Sequence, residues 1–189
     1  MSAASASDDD EGPRLARAWF DAIAVPEVAA GLAALHARVA EEVAARKPIC
    51  LASGQCCHFE RFGHRLFVTG LDAAWCVRSL VDRNAPAASA ATAAGVRDAQ
   101  ERGTCPFLID GRWCGAHVER PLGCRIYFCD RAARDWQEAL YEETHRALAA
   151  LHDRHAIPYR YGEWRAMLAL VVGGAAGGPH DALDGRPRA

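Results

Sequence analysis

Hydrophobic residues recur at helical spacing over several long stretches of the chain. Between Glu27 and Lys47 apolar residues return every three or four positions while charged residues occupy the other side, which predicts an amphipathic helix. Similar spacing predicts helices over 13–24, 71–83 and 130–155, and a short apolar helix that reaches Val172. Helices therefore dominate the predicted fold.

Aromatic and β-branched residues between the helices predict two short β-hairpins. The run HFERFGHRLFVTG predicts one hairpin around Gly63, with residues 65–69 as its better strand. Further along, Asp110-Gly111 lies between Phe107-Leu108-Ile109 and Arg112-Trp113 and is a strong signal for a two-residue hairpin turn. The fold class that follows is α+β, a helix-dominated single small domain in which long amphipathic helices support two short hairpins that carry cysteine-rich segments.

Length and terminal composition predict one domain with two unstructured ends. A chain of 189 residues can bury a core of its own. Residues 13–172 form the predicted domain, whose motif core spans 50–129. The acidic Ser/Ala/Asp leader at 1–12 and the Gly/Ala/Pro-rich tail at 173–189 are predicted to be disordered.

Composition narrows the classes of function and partner. A formal net charge of -2 offers no field for phosphate backbones, so we expect no nucleic-acid partner. The N-terminal residues lack the basic start and apolar run of a secretory signal, and no stretch reaches the roughly 18 apolar residues of a membrane helix. We therefore expect a cytoplasmic protein without a membrane partner, in which clustered cysteines bind metal and do not form disulfides.

Seven of the eight cysteines fall into two short segments, which we name the first cysteine segment (50–57) and the second cysteine segment (105–129). Thiolates are soft donors that select zinc, copper(I) or iron–sulfur clusters, and a closed metal site usually takes ligands from two separated segments. The sequence therefore predicts that the two segments meet around a metal. The predicted metal ligands are Cys50, Cys56, Cys57, Cys105, Cys114, Cys124 and Cys129.

Other residues near these cysteines have roles that the sequence leaves open. Arg120 and Arg125 lie on either side of the third cysteine of the second segment, where they would bind the cofactor indirectly by offsetting the negative charge of its thiolate ligands. The alternatives are that they bind an anionic substrate or form ordinary salt bridges with Glu119 and Asp130. His58 and His117 add borderline donors beside the two segments. Cys76 stands alone inside a predicted helix, which is typical of a packing residue.

The order and spacing of these residues resemble a known family. The motifs that carry the resemblance are Cys50-x5-Cys56-Cys57, Cys105-Pro-Phe-Leu, Gly111-x-x-Cys114 and Arg120-Pro121-x-x-Cys124-Arg125-x-x-x-Cys129. They are similar to the YkgJ-type cysteine-cluster family, a zinc- or iron-chelating domain whose members commonly carry Cys-x-x-Cys-x-x-Cys-Cys in the first segment. The resemblance implies metal chelation. Names within the family include iron–sulfur oxidoreductase, and a related cysteine cluster occurs in flagellin lysine N-methylases.

Four functions follow from these observations. The softness of thiolate donors favours an iron–sulfur protein, redox-active or using an open iron as a Lewis acid, over a structural zinc module. The third function is a protein-modifying enzyme that resembles the flagellin methylases, and the fourth is a metal-handling or partner-binding protein without catalysis. The expected cofactor is an iron–sulfur cluster in preference to zinc. Catalytic residues, substrate and protein partners are not assigned.

Overall fold

The computed structural model describes residues 11–175, without the side chains of Arg131 and Ala175. Most of the predicted leader and tail, residues 1–10 and 176–189, lies outside these described residues. The inner ends of the predicted leader and tail are helical, because the first helix begins at Glu11 and the last helix ends at Ala175.

Helices dominate the described part of the chain, and the predicted amphipathic helices are confirmed to within a few residues. The helices are α1 (Glu11–Ile23), α2 (Pro26–Arg46), α3 (Phe59–Phe62), α4 (Gly70–Asp82), α5 (Ala93–Glu101), α6 (Leu122–Ile126), α7 (Arg134–Arg154) and α8 (Trp164–Ala175). The strands are β1 (Phe67–Thr69), β2 (Leu108–Ile109), β3 (Trp113–Cys114) and β4 (Tyr161–Glu163). Among residues 11–175 no single helix has the length and hydropathy of a membrane span, and α1 and α2 meet those criteria only as a pair bent by 86°.

Local signals set the ends of the helices that flank the cysteine segments. Pro26 occupies the first turn of α2, where its missing N–H costs no hydrogen bond. That helix stops at Lys47, which adopts a left-handed conformation with φ 47°. The hydroxyl of Thr69 accepts a hydrogen bond from the Asp72 N–H at 3.2 Å and so caps the start of α4. The first cysteine segment therefore begins just after one helix that packs on the core.

The core forms where α1, α4 and α8 pack together. The side chains of Trp19 and Trp164 are fully buried there. Gly70 allows the ring of Trp19 to lie directly on the backbone at the start of α4, because a Cβ at Gly70 would stand 2.1 Å from that ring. On the other side, α2 packs against α6 and α7. The short helix α6, which carries Cys124, is thus held between larger elements.

The first predicted hairpin is wrong. Residues 59–62 form helix α3, and Gly63 terminates it with φ 66°, so the Phe-Gly pair is a helix stop and not a hairpin turn. Strand β1 exists close to its predicted position, but it pairs antiparallel with the distant strand β4, with Phe67 opposite Glu163.

The second predicted hairpin is confirmed. Strand β2 pairs antiparallel with β3, with Leu108 opposite Cys114. Asp110 and Gly111 both adopt left-handed conformations, with φ 50° and 67°, as a hairpin turn of this kind requires. The loop between the paired strands has three residues and not two, since Ile109 lies opposite Trp113. This hairpin returns the second cysteine segment toward its own start.

Candidate functional site

Direct hydrogen bonds join the two cysteine segments. The N–H of Cys105 donates to the carbonyl oxygen of Cys57 at 2.8 Å. The Nε2 atom of His58 lies 2.8 Å from the carbonyl oxygen of Gly111, so this imidazole ties the first segment to the turn of the β2–β3 hairpin. The predicted meeting of the two segments is therefore present in the folded chain.

Gly54 allows the backbones of the two segments to touch. Its φ is 73°, and a Cβ at this position would lie 2.7 Å from the Cα of Arg112 and 2.9 Å from the carbonyl oxygen of Gly111. The Gly54 carbonyl then accepts the N–H of Cys57 at 2.8 Å, which closes a short 3₁₀ turn over Gln55–Cys57. This turn directs Cys57 into the protein and leaves Cys56 exposed.

The pKa of the Cys57 thiol depends on cysteines from both segments. Its interactions with the thiols of Cys105, Cys114 and Cys56, together with burial, raise its pKa. The Sγ atoms of Cys56 and Cys57 are 4.0 Å apart. Hydrogen bonding from the Cys57 thiol, together with the smaller effect of the Arg120 charge, lowers the pKa of Cys56 to about 6 and that of Cys114 to about 7.

Cys124 and Cys76 approach the same thiols from α6 and α4. Cys124 is partly exposed, yet desolvation is the main cause of its raised pKa, followed by the charges of Cys105 and Cys114. Cys76 is fully buried; desolvation raises its pKa first, and the charges of Asp72 and Cys124 add to the increase. The buried Cys76, which the sequence presents as isolated, therefore interacts electrostatically with Cys124.

A buried tryptophan donates a hydrogen bond to one of these sulfurs. The indole N–H of Trp164 lies 3.4 Å from the Sγ atom of Cys105, and both side chains are buried. The ring of Phe107 packs edge-on against Trp164, with 5.8 Å between ring centroids. Trp164 could not be recognised from the sequence, since this residue lies 59 positions from Cys105 and no local pattern links an indole to a distant thiol. Hydrogen bonds of this kind orient metal-bound thiolates in known sites.

The remaining cysteines lie at the surface. Helix α6 ends at Ile126, as expected if Cys129 is to turn back toward the other cysteines. Burial raises the pKa of Cys129, and the charges of Cys56 and Cys50 add to this increase. The seven cysteines thus divide into two sets by position. The inner group is Cys57, Cys105, Cys114 and Cys124, and the outer group, which is exposed, is Cys50, Cys56 and Cys129.

Arg120 and Arg125 fasten the loop that precedes Cys124. Arg120 donates from Nε to the His117 carbonyl at 2.9 Å and from Nη1 to the Cys124 carbonyl at 3.3 Å. Arg125 donates from Nε to the Arg120 carbonyl at 2.8 Å and also donates to the Val118 carbonyl. The two guanidinium groups therefore bring positive charge beside the thiols while holding backbone carbonyls.

The acidic residues considered as salt-bridge partners for these arginines contact other groups. Glu119 lies 3.8 Å from Arg83, and Asp130 caps the turn at Ala132 through a 3.0 Å hydrogen bond. The imidazole of His117 has a lowered pKa because of burial first and then the charges of Arg120 and Arg125. His117 is therefore held in the neutral form, the form in which histidine binds a metal.

The thiols do not form a closed coordination shell in their present rotamers. Within residues 11–175, no group of three or more His, Cys, Asp or Glu side chains is arranged to hold a metal ion. Neither of the two best-formed cavities in this part of the chain is lined by a cysteine. The donor chemistry therefore suits a soft metal, whereas the final ligand geometry is incomplete.

Comparison with known proteins adds no relative. A scan against protein-family models, a search of curated proteins and a search of solved structures each found no match. Function must therefore be inferred from the side chains that the fold brings together.

Proposed function

We propose that the chain holds a thiolate-ligated metal centre between its two cysteine segments, an iron–sulfur cluster in preference to zinc. The observation that carries this proposal is the direct contact between the two segments, in which the Cys105 N–H donates to the Cys57 carbonyl oxygen at 2.8 Å. A chain that brings cysteines from separate segments together, without disulfides among them, has the donor set that soft metals select.

The inner group supplies the four thiolates that one centre needs. Four cysteine ligands suit either a tetrahedral zinc ion or an iron–sulfur cluster. The backbone contacts at Gly54 and between Cys57 and Cys105 hold the two segments together, and closure of the shell would require the cysteine side chains to change rotamer. The resemblance to the YkgJ-type family extends to all seven segment cysteines and so includes these four.

The surroundings of the inner group suit metal-bound thiolates. Several thiolates so close together repel one another unless positive charge offsets them. Arg120 supplies part of that charge to Cys114 and Cys124, the Trp164 N–H donates to Cys105, and the Ala116 N–H hydrogen-bonds Cys114. When bound, a cluster would supply one-electron redox chemistry at this position, and a zinc ion would supply a structural cross-link.

A structural zinc site is the second candidate, and one observation favours it. The two best-formed cavities of the described residues contain no cysteine, so neither places a substrate beside the thiols. Closed four-thiolate zinc sites need no such access, because they have no open coordination position. A protein-modifying enzyme and a metal-handling protein are the further alternatives, and each requires an activity beyond metal binding.

Metal analysis of protein purified without oxygen tests the proposal. A brown protein that contains iron and inorganic sulfide would establish a cluster, and a colourless protein with one zinc per chain would establish the second candidate. Cys57→Ser should abolish metal binding, whereas Cys50→Ser, in the outer group, should retain it. Protein that contains neither metal after reconstitution with each would overturn the proposal. Methyl transfer from S-adenosylmethionine to a protein, or release of the metal to an acceptor, would favour the further alternatives.

A further inference from the structure

Cys56 and Cys57 place two sulfur atoms side by side, with 4.0 Å between their Sγ atoms. In an extended segment neighbouring side chains point to opposite faces, whereas in a 3₁₀ turn they are separated by about 120°. The turn over Gln55–Cys57 therefore lets the two thiols approach each other. Because Cys56 is exposed and Cys57 is buried, the pair joins the solvent to the inner group.

The spacing of the pair suits one metal ion. Two thiolates that bind one tetrahedral zinc ion at about 2.3 Å have sulfur atoms about 3.8 Å apart. The observed 4.0 Å is close to this separation, so the two sulfur atoms are already spaced to bind the same ion. A disulfide would require about 2.05 Å, and both residues are free thiols.

Hydrogen bonds hold the backbone of the pair at three points. Nε2 of His64 lies 3.2 Å from the carbonyl oxygen of Cys56. The Cys57 N–H donates to the Gly54 carbonyl at 2.8 Å, and the Cys57 carbonyl accepts the Cys105 N–H at 2.8 Å. These contacts keep the two thiols together and fix the buried one beside the second cysteine segment.

The inner group is less accessible than Cys56. Cys57 is 8% exposed and Cys105 is 6% exposed, while Cys114 and Cys124 are partly exposed. Neither of the two best-formed cavities of residues 11–175 is lined by a cysteine, so neither leads a metal to these thiols. A metal that arrives on a dissolved donor therefore meets the exposed thiol of Cys56 before the buried thiol of its neighbour.

We propose that Cys56 is the entry ligand of the metal site: with Cys57 it takes the metal from a small dissolved thiolate or chelate complex, and it then releases the metal to the inner group. This inference rests on the proposed function, because the inner group is the destination of the metal.

Both steps are exchanges of ligands without a change of oxidation state. In the first step the bonds from the donor to the metal break, two sulfur–metal bonds form, and the two thiol protons pass to the released donor or to water. In the second step the bond to Cys56 breaks as the other inner thiols bind. One of their protons passes to the Cys56 thiolate and the others pass to water.

Uptake of zinc from its complex with the coloured chelator pyridylazoresorcinol, by the reduced and metal-free whole chain, tests the proposal. Cys56→Ser should slow uptake by about 10-fold, the lower end of the range for loss of a group beside a metal ligand, and should reach the same zinc content per chain. Cys50→Ser is the matched control, because it removes an exposed thiol of the same segment that does not adjoin an inner ligand; it should take up zinc at the wild-type rate.

Alkylation of the zinc-loaded chain gives a second measurement. Iodoacetamide should modify Cys56 and leave Cys57 protected, as peptide mass spectrometry measures. If circular dichroism shows that Cys56→Ser is unfolded, this pattern on the wild-type chain decides.

Three results would overturn the proposal. Uptake by Cys56→Ser at the wild-type rate would place entry at the partly exposed Cys114 or Cys124. Protection of Cys56 in the loaded chain, or a lower zinc content in Cys56→Ser, would make it a permanent ligand. Absence of zinc uptake by the wild-type chain would leave no entry step, and reconstitution with iron would then decide the proposed function separately.

Discussion

Gly54→Ala separates the two cysteine segments without altering a thiol. The added methyl group would lie 2.7 Å from the Cα of Arg112 and 2.9 Å from the carbonyl oxygen of Gly111, and both are backbone atoms that cannot rotate away. A Cβ in the left-handed conformation costs about 1–2 kcal/mol, and the forced backbone shift adds about 1–3 kcal/mol. We expect the free energy of unfolding to fall by about 2–5 kcal/mol and metal content to decrease, because Cys57 moves away from Cys105.

Gly63→Ala is the matched control for this change. Gly63 has a φ of 66°, close to the 73° of Gly54, but no atom lies within 4 Å of the position that its Cβ would take. Gly63→Ala should therefore lower the free energy of unfolding by only about 1–2 kcal/mol, through conformational strain, and the variant should keep its metal. Guanidinium denaturation midpoints and metal per chain are measured for both variants. Equal losses in the two variants would show that contact between the segments contributes nothing to folding or metal binding.

Four other substitutions give expected outcomes. Cys124→Ser should release metal and destabilise the fold whereas Cys76→Ser should keep its metal, and elemental analysis of both purified variants checks this assignment. Trp164→Phe removes the N–H···S hydrogen bond and should weaken metal retention by about 10- to 100-fold in competition with a chelator; unchanged retention would assign the indole to packing alone. Hydrogen bonding to Arg165 lowers the pKa of Glu60, so the ionised Glu60 carboxylate stabilises the folded protein at neutral pH. This stabilisation is lost as pH falls through the lowered pKa. Glu60→Gln should therefore lower the free energy of unfolding at pH 7. It should also make that free energy depend less on pH in the acidic range, as measured by denaturation at several pH values.

Local chemistry explains the parts of the fold that the sequence predicts. The helix from Pro26 to Arg46 has a clear apolar side and a proline at its first turn, and both signals lie within the helix itself. The turn at Asp110 and Gly111 needs two left-handed residues, and few residue pairs adopt that conformation readily. Such features are set by residues close in sequence, so spacing and residue type are enough to predict them.

Nonlocal contacts explain the parts that the sequence does not predict. Strand β1 pairs with β4 across about half of the chain, and no feature of either three-residue strand specifies the other. Phe62-Gly63 ends a helix here, although the same pair also suits a turn between strands.

The candidate site shows the same division between local and nonlocal information. Cysteine spacing predicts that the two segments meet, and they do. Their separation into inner and outer groups depends on the 3₁₀ turn at Gln55–Cys57, which buries Cys57 and exposes its neighbour Cys56. Trp164 reaches Cys105 only because α8 crosses the core beside the second cysteine segment. Adjacent cysteines in an extended segment point to opposite faces, but residue type does not tell which of the two is buried. A distant indole carries no sequence signal at all.

X-ray absorption at the metal edge of the purified protein tests most directly whether one centre takes sulfur from both segments. The account predicts about four sulfur ligands per metal, at about 2.3 Å if the metal is zinc, and loss of the bound metal in either Cys57→Ser or Cys105→Ser. A shell made mainly of nitrogen and oxygen would contradict the account. So would a full sulfur shell that survives either substitution.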